Sequence, residues 1–120
     1  MSEQRRATGI AGERLAAAWL ERAGLRIVCR NYRCARGEID LVAEDGGELV
    51  FVEVRTRRSG GLVSPEESVD YRKQRRIVRT AEHYLQSIDG HERAWRVDVV
   101  AVEVDGAGRV QRLDHLRSVV

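Results

Sequence analysis

Residues 37–57 read GEIDLVAEDGGELVFVEVRTR, two β-compatible runs on either side of Gly46-Gly47, and such a dipeptide between apolar-rich runs is a strong hairpin signal. This hairpin constrains the fold more than any other feature, because its register follows from its turn. With Gly46-Gly47 as a two-residue loop, Asp45 faces Glu48, and equal steps outward set Asp40 opposite Glu53 and Glu38 opposite Arg55. A four-residue loop gives the same register. Directly opposed residues have Cβ atoms about 5 Å apart, so two carboxylates there repel by roughly 3 kcal/mol at an effective dielectric near 20. Strand alternation puts Glu38, Asp40 and Val42 on one face, with Phe51, Glu53 and Arg55 on the corresponding face of the partner. Something must offset the acidic pair.

A divalent cation is the natural relief. Hard carboxylate oxygens suit Mg²⁺ or Mn²⁺, and Mg²⁺ commonly binds one or two carboxylates together with water and substrate phosphates. Such a site activates water toward a phosphodiester, and a cation near Glu53 orients the nucleophile or stabilises transition-state charge. The structural alternative is plainer. Glu38 and Arg55 would form a cross-strand ion pair worth about 0.2–1 kcal/mol, and Arg55 or Arg57 would claim Glu53.

The remainder of the chain reads as one α/β domain over residues 1–120, without repeats or an obvious linker. A helix is expected over residues 9–23, where Ala16, Trp19, Leu20 and Ala23 recur at helical spacing and Gly24 supplies a stop, with Glu13 beside that stripe. A strand follows over residues 25–30, and the hairpin strands span 38–44 and 49–56. The stretch RRSGGLVSPEES reads as a mobile loop. A second helix starts either at a capping box formed by Ser64, Pro65 and Glu67 or at Asp70, and runs to about Ile88. Its inward face is Ile77, Ala81, Tyr84 and Ile88, with Asp70, Lys73 and Gln74 extending it toward the N-terminus. WRVDVVAVEVD is a fourth strand, and RVQRLDHLRSVV adds a short edge strand or a tail.

Charge points the same way as the hairpin. Arg55, Arg57 and Arg58, then Arg72, Lys73, Arg75, Arg76 and Arg79, gather near its end and along the second helix, a candidate polyanion-facing region in which Arg57, Arg58, Arg72, Gln74, Arg75, Arg76 and Arg79 are the candidate nucleic-acid contacts. A solvated helix face is the alternative. Lys73 is the sole lysine among 21 basic residues, an arginine bias that more simply reflects genome composition than function. Composition excludes other classes: 42% hydrophobic against 33% charged residues fits a globular domain and argues against disorder. No apolar run reaches the roughly 20 residues that span a bilayer, and MSEQRRATG is not a signal peptide, so a cytoplasmic protein with no membrane partner is expected. Cys29 and Cys34 lack the companions of a metal or disulfide framework and are expected as thiols. His83, His91 and His115 are scattered and read as surface or packing residues, whereas Trp19 and Trp95 read as core, not as base-stacking platforms among the basic residues.

The ordered combination GEIDLV, VEVR and K-Q, with GERLAAAWLERAGLRIVCRNYR before it and RVDVVAVEV after it, resembles the YraN family of small bacterial proteins over nearly the whole chain. That family in turn resembles the PD-(D/E)XK nuclease superfamily and archaeal Holliday-junction resolvases. The resemblance implies a restriction-endonuclease-like fold, a mixed central sheet flanked by helices, with Mg²⁺ or Mn²⁺ as cofactor and DNA as partner. By position, Asp40 matches the metal-binding Asp, Glu53 the second acid, and Glu13 the helix-borne acid of resolvase-like members. Arg55 stands where the motif has Lys, and Ile39 where it has Pro, a loosely kept position. Arg55 stays protonated and is a poor partner for deprotonating water, so Lys73 is the candidate to supply the missing ammonium. Resolvases act as dimers on two-fold junctions, which leaves a homodimer open here.

Three functions follow. The first is a metal-dependent DNA endonuclease-like protein acting on branched or damaged DNA. The second is a nucleic-acid-binding module whose nuclease site has degenerated, and the third is a protein-interaction adaptor.

Overall fold

The structure, a computed structural model, describes residues 3–58, 71–90 and 92–120, with side chains from residue 9 onward. In chain order its elements are α1 (Glu3–Arg22), β1 (Arg26–Cys34), β2 (Gly37–Asp45), β3 (Glu48–Arg58), α2 (Tyr71–Ser87), β4 (Trp95–Val104) and β5 (Val110–Leu116). The strands form one sheet in the order β1-β2-β3-β4-β5. The β3/β4 pair is parallel and the other three pairs are antiparallel. This mixed sheet is consistent with the restriction-endonuclease-like fold that the sequence resemblance implies.

Each face of the sheet is covered by one helix. Ala16, Ala17 and Leu20 of α1 pack with Leu41, Ala43, Val50, Val52, Val54 and Val100. Ile77, Ala81, Tyr84 and Leu85 of α2 pack on the opposite face with Val42, Phe51 and Val97. The valine run of β4 is therefore buried on both sides, as a central strand beside a parallel neighbour requires. Among the described residues, no helix is long and apolar enough to cross a membrane.

The hairpin turns at Gly46-Gly47 with Asp45 paired to Glu48, and its register continues through Leu41 opposite Val52. Several other expectations are corrected. β1 extends to Cys34, beyond the expected end at residue 30, because its pairing with β2 continues through Tyr32, Arg33 and Cys34, across Asn31 at a left-handed φ of 52°. Trp19 is 41% exposed and so is not core; the buried stripe of α1 is Ala16, Ala17 and Leu20, one residue off the expected phase, and Ala23 is exposed beyond the helix end. Ile88 is 43% exposed because α2 stops at Ser87, and Leu85 takes its place inside. The two competing α2 starts at Ser64 and Asp70, the loop between β3 and α2, and His91 lie outside the described residues.

One glycine sets how closely α1 approaches. A Cβ at Gly12 would collide with the Thr56 side chain, so this position accepts no larger residue without displacing the helix or β3. The close approach carries the next residue, Glu13, to the sheet.

A candidate carboxylate site at the fork of the hairpin

Past Leu41 and Val52 the hairpin strands part: β2 continues against β1, while β3 continues against β4 to Arg58. The expected pairing of Glu38 with Arg55 therefore does not form. Glu38 instead meets Arg33 of β1 at 3.2 Å. Strict alternation also fails here, since Ile39 and Val42, three residues apart, enter the same cluster under α2. Cys29 and Tyr32 of β1 do the same around Asn31, so the two strands slip face together. The slip turns Asp40 toward the fork. Its Oδ2 accepts a hydrogen bond from the Val54 backbone N–H at 2.8 Å, in place of the next rung of the ladder.

Asp40, Glu53 and Arg55 line a cleft of about 400 Å³, with Lys73 and Arg76 of α2 on its other wall. The structure thus brings together all four residues expected to carry the chemistry. Gly37, at a φ of 147°, opens the rim, because a Cβ there would press on Thr80 and Arg76. Glu13 of α1 lies near enough for Asp40 to raise its pKa and for Asn31 to lower it, but it does not line the cleft itself. Among the described residues, no three His, Cys, Asp or Glu side chains form a ready-made metal cage, so any cation here relies on two acids, water and substrate oxygens.

The electrostatics of the fork are those of crowded acids. Burial first, and then the Asp40 carboxylate, push Glu53 from 4.5 up to about 7, against the opposing pull of Arg55 and Lys73. Burial raises Asp40 as well, despite the Val54 N–H and Arg55. Glu13 is raised by burial and by Asp40. The direction agrees with the repulsion expected from sequence, but burial is the larger cause. Arg55 pairs with Glu53 at 3.0 Å, as the structural alternative allowed, and its Nε is buried with no hydrogen-bond partner among the described residues.

The same hairpin provides an internal comparison. Asp40 and Glu53 lie just past the last paired rung, whereas Asp45 and Glu48 are directly opposed acids, yet the Arg96 guanidinium of β4 meets them at 3.1 and 2.7 Å. Arg96 also binds Asp98, a fully buried acid that accepts from His115 Nε2 at 2.7 Å and from the Ser118 N–H at 2.9 Å. Burial raises the Asp98 carboxyl, but His115, Arg96 and Ser118 bring it below its ordinary range. One acid pair is met by a guanidinium that reaches both of its members, whereas at the fork Arg55 pairs with Glu53 alone and burial raises both Asp40 and Glu53.

The residues expected to face nucleic acid divide. Arg72, Arg75, Arg76 and Arg79 line a second groove of about 460 Å³, and Arg76 also lines the carboxylate cleft. Gln74 is half-buried and lines neither. Arg57 is half-buried and Arg58 exposed at the end of β3, outside both. Sequence reasoning missed Arg36 and Tyr71, which complete the second groove. The CARGEID turn that carries Arg36 becomes visible only once β1 is known to reach Cys34. His83 accepts or donates at 2.6 Å with the Tyr32 hydroxyl, and Trp95 packs against Phe51, in keeping with packing roles.

A five-stranded mixed sheet with a helix on each face, forked at a half-buried carboxylate pair, defines an α/β protein of restriction-endonuclease-like architecture. Within that class the chain belongs to the family described as "Uncharacterised protein family UPF0102", which matches residues 12–102, the family its motifs resemble. A UPF0102 protein of Beutenbergia cavernae is 50% identical over 94% of this chain and 95% of its own. One of Moorella thermoacetica is 49% identical over 98% of both, and one of Anaeromyxobacter dehalogenans is 53% identical over 89% of this chain and 81% of its own.

Proposed function

We propose that this protein is a divalent-cation-dependent DNA endonuclease, cleaving phosphodiester bonds in branched or damaged DNA. One observation carries the reading: Asp40 and Glu53 lie half-buried together on a cleft wall with both pKa values raised, on a hairpin whose other acid pair is neutralised by Arg96. Acids kept in such a state fit a hard cation, because its charge supplies what the fold withholds. Asp40 and Glu53 would hold Mg²⁺ or Mn²⁺, with Glu13 steadying Asp40 from α1. When bound, the ion lowers the pKa of its water and neutralises charge on the phosphoryl oxygens.

The chain's own groups do the rest. Glu53, its pKa pushed up to about 7 chiefly by burial, gives up its proton more readily when positive charge arrives. Arg55, fixed against Glu53, keeps a permanent cation beside the reacting phosphate and has a buried Nε–H to offer. Lys73 acts on Glu53 from α2 and is the cleft's one ammonium, able to pass a proton as a guanidinium is not. Arg76 and the groove beside it hold the phosphate backbone.

The Arg55–Glu53 pair favours a second reading, a nucleic-acid-binding module without turnover, since it occupies one of the two acids. A cleavage panel of single-stranded, duplex, flap and four-way DNA with Mg²⁺ or Mn²⁺ separates the two. Cleavage by the wild type that is lost in Asp40→Ala and Glu53→Ala supports the enzyme. Binding that survives EDTA, with no cleavage of any substrate, supports the module, and salt-insensitive failure to bind any nucleic acid leaves a protein adaptor.

A further inference from the structure

We infer that the groove beside the carboxylate cleft takes a single-stranded segment of the DNA, with one unpaired base stacked on Tyr71. The inference rests on the proposed nucleic-acid substrate and specifies its form. Tyr71 begins α2 and is 72% exposed, the most open large hydrophobic side chain among the described residues. The guanidinium of Arg75 lies 5.7 Å from its ring centroid, one turn along the helix, which holds the ring at the groove. The walls around it are Arg36, Arg72, Arg76 and Arg79, and among the described residues no acid lines them.

Each part of this arrangement has a separate consequence. Five arginines in one groove attract a phosphate backbone of any sequence. An open aromatic plate among them adds nothing for a duplex, whose base faces are already stacked on one another. It adds a favourable contact for a strand whose bases are unpaired, and one indifferent to sequence, because every base has a π-face. Arg76 belongs to both the groove and the cleft, so a strand lying along α2 leads to Asp40 and Glu53. The substrate class is therefore DNA with an unpaired arm next to the scissile bond, such as a flap or a splayed junction.

Fluorescence anisotropy in EDTA tests this without metal or cleavage, using a short labelled single strand, a duplex hairpin of equal charge, and a single strand bearing abasic sites. Tyr71→Ala is expected to weaken binding of the ordinary single strand about tenfold and to leave the duplex and the abasic strand unchanged. Tyr71→Phe, which keeps the ring, binds as the wild type does. Equal loss on single strand and duplex, no loss on either, or a wild type that binds abasic and ordinary strands alike overturns the inference. None of these results bears on turnover, and an absence of cleavage with Tyr71-dependent single-strand binding would overturn the enzyme reading alone.

Discussion

The Asp40 carboxylate accepts the Val54 backbone N–H at 2.8 Å, and this bond couples the site to the sheet. β2 leaves β3 at this point, so the side chain satisfies a β3 donor that the parting strand no longer serves. The residue is at once a backbone partner and a member of a crowded acid group, and the two roles separate by substitution.

Asp40→Asn retains a carbonyl oxygen for the Val54 N–H and removes a negative charge from beside Glu13 and Glu53. In EDTA its stability is expected to equal or exceed that of the wild type. Asp40→Ala strands the Val54 N–H and is expected to cost about 1–3 kcal/mol. Under the proposed function both substitutions are expected to abolish Mn²⁺ binding and cleavage. Urea unfolding of the three proteins in EDTA, with calorimetric Mn²⁺ titration, reads both effects; a destabilised Asp40→Asn with unchanged Mn²⁺ affinity would show a purely structural residue.

Glu53 gives the metal-free protein a pH dependence of opposite sign to that of ordinary paired carboxylates. Its proton is held to about 7 in the fold and released near 4.5 in the unfolded chain. The stability it contributes is therefore complete below about 4.5 and is lost as pH rises through about 7. Asp40 and Glu13, also raised, act in the same direction. Asp98, whose pKa is lowered, loses its contribution only as pH falls below the ordinary Asp range, outside this window. A decline on the order of 1–3 kcal/mol is expected between pH 4.5 and 7 in EDTA, flattened in Glu53→Gln. Mn²⁺ affinity is expected to rise over the same range with proton release, measurable by titration in buffers of different ionisation enthalpy. A flat wild-type profile would remove Glu53 from the acid group.

The hairpin, its turn and its register were legible because a two-residue turn fixes pairing arithmetic and each strand carries enough apolar residues to mark it. The same arithmetic erred past Leu41 because sequence does not show where two strands part, and Asn31, left-handed within β1, resembles any loop asparagine. The inward placement of Lys73 followed from helix phase, as did the outward Arg72, Arg75 and Arg79. Trp19 was misplaced by the same method, since a residue at the margin of an apolar stripe falls on either side according to helix tilt. Asp98 and Arg96 were passed over although a lone acid within a valine run is a readable sign of a buried partner network.

Binding along α2 is expected to be electrostatic. Log affinity for duplex DNA falls with log salt at a slope of roughly −0.9 per phosphate neutralised. Replacing Arg36, Arg75 and Arg79 by Ala, all lining one groove, is expected to make that slope shallower by about 2–3 while weakening all sequences alike. An unchanged slope would place the phosphates elsewhere, and loss confined to one sequence would indicate base readout.

Gly12 is the position at which helix packing and site geometry meet. Because a Cβ there collides with the Thr56 side chain, Gly12→Ala forces α1 away from β3 in spite of alanine's better helix propensity. The net cost is expected to be about 1–3 kcal/mol, as for overpacking elsewhere. Thr56→Ala removes the colliding hydroxyl and methyl, so the double variant is expected to recover most of that loss, a coupling visible in a double-mutant cycle of urea midpoints. The lifted helix also draws Glu13 off Asp40, so Gly12→Ala is expected to lower Mn²⁺ affinity and the double variant to restore it. Restored stability without restored affinity would show that Glu13 takes no part in holding the cation. Additive stability effects would show that α1 does not meet the sheet at Thr56.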